Sequence, residues 1–312
     1  MEKFKQIEKI KEIYSKGENI IKYLRGLDNS KQNSVEDIVI SYDVQAGSYI
    51  RLLNHEFKSK YCNLLAQIID GYQPCSSIME AGIGEATTLG YLLKHLTKQP
   101  ANILGFDISW SRLKFAQNFL REFNPNSNDI SLFVANLFEI PLLDNSVDIV
   151  YTSHAIEPNG GKEKEAIQEL YRVTGKYLIL LEPSFEFAND AAKIRMEEHG
   201  FVKNLYATSV ELGYKIIEHR LFELSANPLN PTGLIVIEKS NSVNPPDLKC
   251  PLSKTNLIKY NDSLLFSKDS LLSYPVIDQI PCLLKENSIL TTHLLTDYEE
   301  YKLVNKIDFS ID

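Results

Sequence analysis

Residues 80–85 read Glu80-Ala81-Gly82-Ile83-Gly84-Glu85, and this short turn decides the fold of the chain. An apolar strand pattern over residues 77–79 comes directly before the turn, and a helical pattern over residues 86–96 follows it. A strand, a glycine turn and a helix together build a nucleotide-sized pocket at the carboxyl end of a parallel sheet. Asp107 ends the next strand pattern, where a second polar group of such a pocket is expected.

The residues of the turn disfavour a dinucleotide as the ligand. The pyrophosphate-binding pattern needs a third glycine, and Thr87 occupies that position. Glu80 and Glu85 flank the turn, and a carboxylate there would repel a pyrophosphate. S-adenosylmethionine (SAM) carries an ammonium, a sulfonium and a ribose but no phosphate, so the sequence predicts SAM as the cofactor.

Strand and helix patterns alternate from residue 77 to residue 199, which predicts a parallel sheet with helices on both faces. Two further strands have no helix between them and are therefore expected to pair antiparallel. The predicted fold class is α/β, with a doubly wound, mostly parallel seven-stranded sheet. The expected strands are residues 77–81, 102–107, 131–135, 147–152, 177–181, 214–224 and 234–238, and the expected helices between them are residues 86–97, 110–123, 162–173 and 188–199.

The chain divides into five predicted regions. Helical patterns over residues 3–25 and 44–70 come before the sheet, with a polar linker near residues 28–34. They predict a lid over the sheet, and a homodimer contact through the first helix is an open alternative. The regions are an N-terminal helical lid or dimer region (1–70), a SAM-binding domain (71–240), a linker (241–248), a small β-rich module (249–286) and a tail (287–312).

The bulk composition narrows the class of protein. The net charge is -8 and the pI is about 5.4, and nucleic acid is disfavoured as a partner because a broad phosphate-binding interface needs a basic surface. No apolar run is long enough to span a bilayer and the first residues do not resemble a signal peptide, so we expect a cytoplasmic protein with no membrane partner. The four cysteines are scattered without zinc spacing, which predicts reduced, buried thiols and no metal site.

Residues 76–239 resemble a class I SAM-dependent methyltransferase of the small-molecule type. Any single matching segment is weak evidence, whereas five segments in the family's order and spacing are specific. The resemblance covers about half of the chain and implies an enzyme that transfers a methyl group from SAM. The five segments are Glu80-x-Gly82-x-Gly84, Gly105 to Ser109, Val134 to Pro141, Asp144 to Val150 and the final antiparallel strand.

These segments imply a cofactor site. Gly82 and Gly84 would let the backbone approach the ligand, and Glu80 would pair with the ammonium of the methionine moiety. Asp107 would accept both ribose hydroxyls; its alternative role is to cap the following helix, although Ser109 could do so instead. The full predicted set is Glu80, Gly82, Gly84, Asp107, Ile108, Asn136, Leu137, Ser153 and Tyr49.

For three residues of this set, the expected contact with the cofactor can be stated. Asn136 stands where the family commonly has Asp; its amide oxygen would accept from the adenine amino group, or the residue would only cap a turn. Leu137 would offer its backbone N–H to the adenine ring. Tyr49, or Tyr42 before it, lies in a segment that resembles the N-terminal lid of many small-molecule methyltransferases, and it would close over the cofactor carboxylate or pack in the core.

The loop of residues 152–161, after the fourth strand, faces the acceptor in this family's fold. His154 would act as a general base, because its unperturbed pKa lies near neutrality, and Glu157 would orient it or bind an ammonium. In the alternative, His154 packs beneath the cofactor, Glu157 caps the next helix, and alignment alone drives methyl transfer. Glu182 is expected to bind the acceptor or to cap a loop, and Arg195 to lie on a solvated helix face.

Residues 249–285 resemble the small activator subunit of tRNA and translation-factor methyltransferases. The segment opens on Cys250-Pro251 and ends on Tyr274-Pro-x-x-Asp-Gln279-Ile-Pro, with Gln279 in place of the family's glycine. Only one of the family's paired cysteines is present near Cys250, so no zinc is expected. The resemblance implies a β-rich knob that stabilises the catalytic domain.

The predicted function is methyl transfer from SAM to an oxygen or nitrogen of a small polar metabolite, such as a sugar or nucleotide-sugar. The acidic charge favours this acceptor. So does the segment of residues 153–156, which lacks the Asn/Asp-Pro-Pro-aromatic motif of base and amide methyltransferases. Two alternatives stay open: a tRNA or protein methyltransferase with a fused activator domain, and a SAM-binding regulator without catalysis.

Overall fold

The computed structural model describes residues 3–127, 129–241 and 243–294, so residues 295–312 of the predicted tail lie outside the described residues. The helices are α1 (Ile7–Ser15), α2 (Ile20–Leu27), α3 (Val35–Val44), α4 (Ser48–Arg51), α5 (His55–Asp70), α6 (Thr87–His95), α7 (Trp110–Phe123), α8 (Glu163–Val173), α9 (Asp190–His199) and α10 (Leu205–Glu211). The strands are β1 (Ser77–Ala81), β2 (Asn102–Asp107), β3 (Ile130–Val134), β4 (Val147–Ser153), β5 (Thr174–Pro183), β6 (Lys215–Leu221), β7 (Thr232–Glu238), β8 (Ile258–Asn261), β9 (Leu264–Ser267), β10 (Leu272–Ile277), β11 (Ile280–Pro281) and β12 (Ile289–Leu290).

Strands β1 to β7 form a seven-stranded sheet within the described residues, in the order β3-β2-β1-β4-β5-β7-β6. The first five strands run parallel, while β7 pairs antiparallel with both β5 and β6. The predicted fold class and the antiparallel end of the sheet are therefore confirmed. The strand order reverses at β1, which lies between β2 and β4, so a crevice opens at the carboxyl ends of these strands.

Apolar side chains cover both faces of the sheet, which explains why the inner strands read as continuous hydrophobic runs. Every residue of β1 is buried, and so is every residue of β4 before its last. Ile78 and Ile149 belong to the hydrophobic cluster on one face, and Met79 and Val150 to the cluster on the other. Because successive strand residues point to opposite faces, the two clusters hold β1 and β4 rigidly in place.

The N-terminal region is more broken than the sequence predicts. The helix expected over residues 3–25 is a 3₁₀ turn followed by α1 and α2, and Gly17, with a φ of +70°, separates the two. The helices α3 and α10 have no predicted counterpart; Ser34 caps α3 in a capping box. The helical region expected over residues 44–70 is divided into α4 and α5, and Asn54 caps α5.

Polar side chains fasten the N-terminal helices to the sheet. Asp43 at the end of α3 accepts hydrogen bonds from the hydroxyls of Ser109 (2.8 Å) and Ser111 (2.9 Å) at the start of α7. The buried Asn33 donates to the carbonyl of Pro158 at 2.8 Å, in the loop after β4. Helices α3 to α5 therefore form a roof over the carboxyl ends of the strands.

Strands β8 to β12 form the β-rich module, which packs against the edge of the main sheet. The backbone N–H of Leu283 donates to the carbonyl of Val134 at 2.9 Å, at the end of β3. Nε1 of Trp110 donates to the carbonyl of Ile277 at 3.3 Å, which joins α7 to the module. The module therefore covers β3, a strand that would otherwise leave an open sheet edge.

The hairpin between β10 and β11 explains the departure at Gln279. Asp278 and Gln279 both have positive φ, at +52° and +67°. A two-residue hairpin turn of this kind favours glycine, so Gln279 holds a conformation that glycine adopts at lower cost.

Cys250 lies in the module, with its Sγ 3.3 Å from the Tyr274 hydroxyl and 3.4 Å from the Ser270 hydroxyl. All four cysteines are free and buried, as predicted. Among the described residues, no group of three or more His, Cys, Asp or Glu side chains could hold a metal ion. In the same part of the chain, no helix is long and apolar enough to cross a membrane.

Candidate functional site

A cavity of about 710 Å³ opens at the carboxyl ends of β1, β2 and β4, beneath the roof of α3 to α5. The glycine turn and Asp107 line this cavity, and so do Arg195 of α9 and the turn between β6 and β7. The predicted cofactor residues, apart from Gly84, all line this cavity, as do His154 and Glu157. The fold therefore brings together residues that are as much as 108 positions apart in sequence, from Tyr49 to Glu157.

The glycine turn leaves no room for side chains. Gly82 and Gly84 have φ values of +67° and +55°, which residues with a Cβ rarely adopt. A Cβ on Gly82 would lie 2.4 Å from the Cβ of Ala155, and a Cβ on Gly84 would lie 2.3 Å from Nη2 of Arg112. The backbone conformation therefore requires glycine at both positions, and at Gly82 the neighbouring Ala155 also leaves no space for a Cβ.

Glu80 is a buried carboxyl group at the end of β1, with 2% of the residue exposed. Its Oε2 accepts a hydrogen bond from the Tyr151 hydroxyl at 2.9 Å. Burial raises the pKa of Glu80 to about 8, although this hydrogen bond and the charge of Lys58 oppose the rise. Because a cation beside it would favour its charged form, Glu80 fits the ammonium end of SAM.

Asp107 is buried at the end of β2 and is not the cap of α7. Its Oδ2 accepts from the backbone N–H of Gly84 and its Oδ1 from that of Ser109, both at 2.9 Å. The cap of α7 is Ser109, whose hydroxyl accepts from the N–H of Arg112. Each Asp107 oxygen keeps a further lone pair, so the carboxylate fits a pair of ribose hydroxyls.

The other predicted cofactor residues line the walls of the cavity. Ile108 and Leu137 do so next to Asp107 and Asn136 respectively. The side-chain oxygen of Asn136 accepts from the N–H of Phe138 at 3.1 Å, so the turn-capping role exists in this structure. The hydroxyl of Ser153 lies 3.0 Å from that of Tyr61, which orients it at the end of β4.

Glu85 has a role that the sequence did not predict. Its Oε1 accepts from the N–H of Gly47 at 2.9 Å, and its Oε2 accepts from that of Ile50 at 2.8 Å. This buried carboxylate therefore ties the start of α4 to the glycine turn and fixes Tyr49 at the mouth of the cavity. The signal in the sequence was weak, because only the fold brings residues 47–50 next to residue 85.

Arg112 is a cation of the site that the sequence analysis missed. Its Nη1 lies 3.8 Å from Oδ2 of Asp107, and its Cζ lies 5.0 and 4.7 Å from the ring centroids of Tyr42 and Tyr49. The two tyrosines predicted to close over the cofactor thus pack on a guanidinium. The sequence did hold a signal for Arg112. Ser109 is the N-cap of α7, which places Arg112 in the first turn, and side chains there point back towards the N-terminus of the helix, where the cavity lies.

His154 and Glu157 form a hydrogen-bonded pair beside the glycine turn. Nδ1 of His154 lies 2.7 Å from Oε2 of Glu157, and Nε2 lies 2.9 Å from the hydroxyl of Thr232. Burial lowers the pKa of His154, but the hydrogen bond and charge of Glu157 outweigh it, and the net pKa is raised. Lys162, not Glu157, is the N-cap residue of α8, and it makes no side-chain cap.

Glu182 at the end of β5 caps the loop that carries this pair. Its carboxylate accepts from the backbone N–H groups of Ala155 (2.9 Å), Ile156 and Glu157 (both 3.1 Å). Burial raises its pKa to about 7, although His154 and these N–H groups favour the charged form. Of the two roles predicted for Glu182, the structure has the loop cap.

Arg195 lines the cavity, and the prediction that it lies on a solvated helix face was wrong. Arg195 of α9 lines the cavity and its Nη1 is buried, so this side chain does not face bulk water. Asn227 and Asn230, in the turn between β6 and β7, line the same cavity. The sequence could not place this side of α9, because these cavity-lining residues lie about thirty positions further along the chain.

Residues 78–176 match a family model described as a methyltransferase domain. The match includes the glycine turn, Asp107, Asn136 and the His154–Glu157 pair. No curated protein sequence matches the chain.

Solved methyltransferases with similar folds have low sequence identity to this chain. Magnesium protoporphyrin IX methyltransferase from Synechocystis PCC 6803 with bound SAM is 16% identical, with 66% of this chain and 99% of that chain covered and a TM-score of 0.48. A SAM-dependent methyltransferase from Aquifex aeolicus is 14% identical, with 61% and 96% covered and a TM-score of 0.46.

Glu80 gives a prediction about proton release when SAM binds. At pH 7 a group with a pKa of about 8 is mostly protonated, and the ammonium of SAM favours its charged form. Binding should therefore release about one proton at pH 7, and affinity should rise about tenfold between pH 6 and pH 7, about fivefold from pH 7 to pH 8 and little above that. Calorimetry in two buffers of different ionisation enthalpy measures this release.

The Glu80→Gln variant is the control, because glutamine keeps the shape of the side chain but cannot titrate. It should bind SAM more weakly and release no proton from this position. Equal proton release by the wild type and the variant would show that Glu80 is not the partner of the cation.

Proposed function

We propose that the chain is a SAM-dependent methyltransferase whose acceptor is a small polar metabolite, such as a sugar or nucleotide-sugar, methylated on oxygen or nitrogen. The observation that carries this proposal is the roofed cavity. Its volume of about 710 Å³ falls within the range of small-molecule sites, about 300–1,000 Å³. A polymer would need an open groove, whereas α3 to α5 enclose this space.

The acceptor end of the cavity has side chains that suit a hydroxyl-rich molecule. His154, Glu157, Asn159, Asn227 and Asn230 line it. Each asparagine amide can both donate and accept, and Glu157 adds acceptor oxygens. Such a set can satisfy several hydroxyl groups at once, which supports a sugar over an apolar acceptor.

The protein's contribution to methyl transfer is alignment and, for an acceptor hydroxyl, removal of a proton. Bound SAM supplies the methyl group on a sulfonium. Glu157 accepts the Nδ1 proton of His154, which leaves the lone pair on Nε2. In that tautomer the hydroxyl of the buried Thr232 donates to the lone pair, at 2.9 Å. The His154 ring would have to leave Thr232 before an acceptor hydroxyl in the cavity could pass its proton to Nε2 as the oxygen–methyl bond forms.

The second candidate is a tRNA or protein methyltransferase with a fused activator domain. The docking of the β-rich module on β3 supports it, because the module lies beside the catalytic domain and could bind a macromolecule. The net charge of -8 and the roof over the cavity argue against it. The regulator alternative predicts a blocked cleft without acceptor-binding groups, and the polar far end of the cavity argues against that.

Assays with labelled SAM on two substrate pools distinguish the first two candidates. We expect methyl label to enter a pool of sugars and nucleotide-sugars, because these fit inside the roofed cavity. A tRNA pool should stay unlabelled under the same conditions. Labelling of tRNA alone would contradict the proposal and favour the second candidate.

His154 predicts a separation of catalysis from cofactor binding. The His154→Gln variant should lose about 100-fold or more in kcat, within the usual contribution of a general base, while its affinity for SAM changes little. His95→Gln is a suitable control, because His95 bonds to Ser59 outside the cavity lining. An unchanged kcat would mean that alignment alone drives the transfer.

Glu157 sets the direction of the pH dependence. Glu157 raises the pKa of His154, and a base acts in its neutral form, so kcat should rise with pH through that raised pKa. In Glu157→Gln the pKa falls, so the rising limb should move to lower pH while kcat decreases. A limb that stays in place would exclude His154 as its origin.

A further inference from the structure

Two buried polar atoms at the acceptor end of the cavity have no hydrogen-bond partner among the described residues. They are Nη1 of Arg195 and Oδ1 of Asn230. Buried polar groups in folded proteins nearly always have a partner, so an unpaired donor and an unpaired acceptor in two residues that line one cavity call for an explanation. A ligand that supplies both missing partners is the direct one.

Arg195 is held in place without using this nitrogen. Its guanidinium carbon lies 5.5 Å from the ring centroid of Phe201, just beyond the end of α9. Its backbone carbonyl accepts from Nδ1 of His199 at 2.9 Å, which adds to the order of the last turn. The side chain is therefore positioned by packing, and Nη1 is buried without a partner among the described residues. A ligand in the cavity would reach Nη1 through a rotation of the Arg195 side chain, which lines the cavity.

The orientation of Asn230 is fixed by its neighbour. Its Nδ2 donates to Oε2 of Glu157 at 3.2 Å, and the reversed amide would place oxygen against a carboxylate that can only accept. Its backbone N–H donates to the carbonyl of Asn227 at 2.8 Å, which stiffens the turn. The unpaired Oδ1 is therefore a hydrogen-bond acceptor that could bind an N–H or O–H group of a ligand.

The two unpaired atoms specify complementary chemistry. A guanidinium N–H pairs best with an oxyanion, and bonds from arginine to carboxylate or phosphate are among the strongest hydrogen bonds in proteins. An amide oxygen pairs with a hydroxyl or amine. Glu157 lies close by, and its Oε2 is already engaged by the His154 ring and by Nδ2 of Asn230.

The geometry points to an acceptor that carries an oxyanion, a carboxylate or a phosphate, bound by Arg195, and a hydroxyl or amine that donates to Asn230. This inference rests on the proposed function and narrows it, because it makes a charged metabolite the substrate of the cavity. Arg195 is then a specificity-determining residue of the cavity.

The test is binding of three matched probes to the full chain saturated with S-adenosylhomocysteine. Glucuronate carries a carboxylate, glucose 6-phosphate carries a phosphate, and glucose carries neither. We expect at least one charged probe to bind about tenfold or more tightly than glucose, as measured by calorimetry. The stronger of the two charged probes identifies which oxyanion the site prefers.

Substitutions on α9 tie this preference to one side chain. Arg195→Gln should weaken the charged probe about 10- to 100-fold, as expected for loss of a charge-assisted bond, and leave glucose unchanged. Arg195→Lys, which keeps the charge but loses the planar fork, should fall between. Lys193→Gln is the matched control; it removes a charge from the same helix, and Lys193 contacts the ring of Phe185 instead of the cavity.

Equal binding of the charged probe by wild type and Arg195→Gln would overturn the inference, and so would failure of both charged probes to bind. The labelling of substrate pools separates this result from the proposed function. If neutral sugars are methylated and Arg195 is immaterial, the function stands and the oxyanion site is wrong. If charged probes bind through Arg195 but only tRNA is labelled, the oxyanion site stands and the proposed acceptor is wrong.

Discussion

The burial of one carboxyl group, that of Glu80 at the end of β1, is the constraint on which this site depends. A carboxylate away from water is costly unless a cation or hydrogen-bond donors compensate it. The structure supplies one donor, the Tyr151 hydroxyl, and leaves the pKa at about 8. A positive charge would supply the missing compensation, and the ammonium of SAM is the cation that we propose for this place. The glycines at 82 and 84 keep the turn free of side chains, which would let a ligand come close.

Other acidic residues hold the loops around this point instead of meeting the ligand. Glu85 ties α4 to the glycine turn, Glu182 caps the loop of His154, and Asp43 joins α3 to α7. Each accepts hydrogen bonds from N–H or O–H groups that would otherwise lack partners. Some of the acidic residues that give the chain its net negative charge therefore serve to hold loops and helices in place. The same groups fix the roof, which under the proposed function limits the acceptor to a small molecule.

The sequence predicts well whatever depends on local pattern. The β1 to β5 strands, the glycine turn and Asp107 follow from alternation of strand and helix with polar residues at strand ends, because parallel strands place those ends together. The breaks at Gly17 and before Asn54 were missed, since helical periodicity continues across both positions. These errors concern the roof and do not move the cofactor site.

What the sequence could not give was the direction in which side chains face when distant segments pack. Arg112 and Arg195 both lie on helices with ordinary surface patterns, and their positions in the cavity depend on the lid tyrosines and on the β6–β7 turn. Glu182 had two reasonable roles, and only the distances to residues 155–157 decide between them. The residues that line the acceptor end of the cavity can therefore be identified only from the three-dimensional structure.

The most direct test of the account is calorimetric titration of SAM and S-adenosylhomocysteine into the wild type and Asp107→Ala. The account predicts that the wild type binds both, and that the variant binds at least about tenfold more weakly because it loses two charge-assisted hydrogen bonds to the ribose. Asp262→Ala, at a side chain that is 94% exposed, should bind like the wild type. A wild type that binds neither compound, or a variant that binds as tightly as the wild type, would contradict the account.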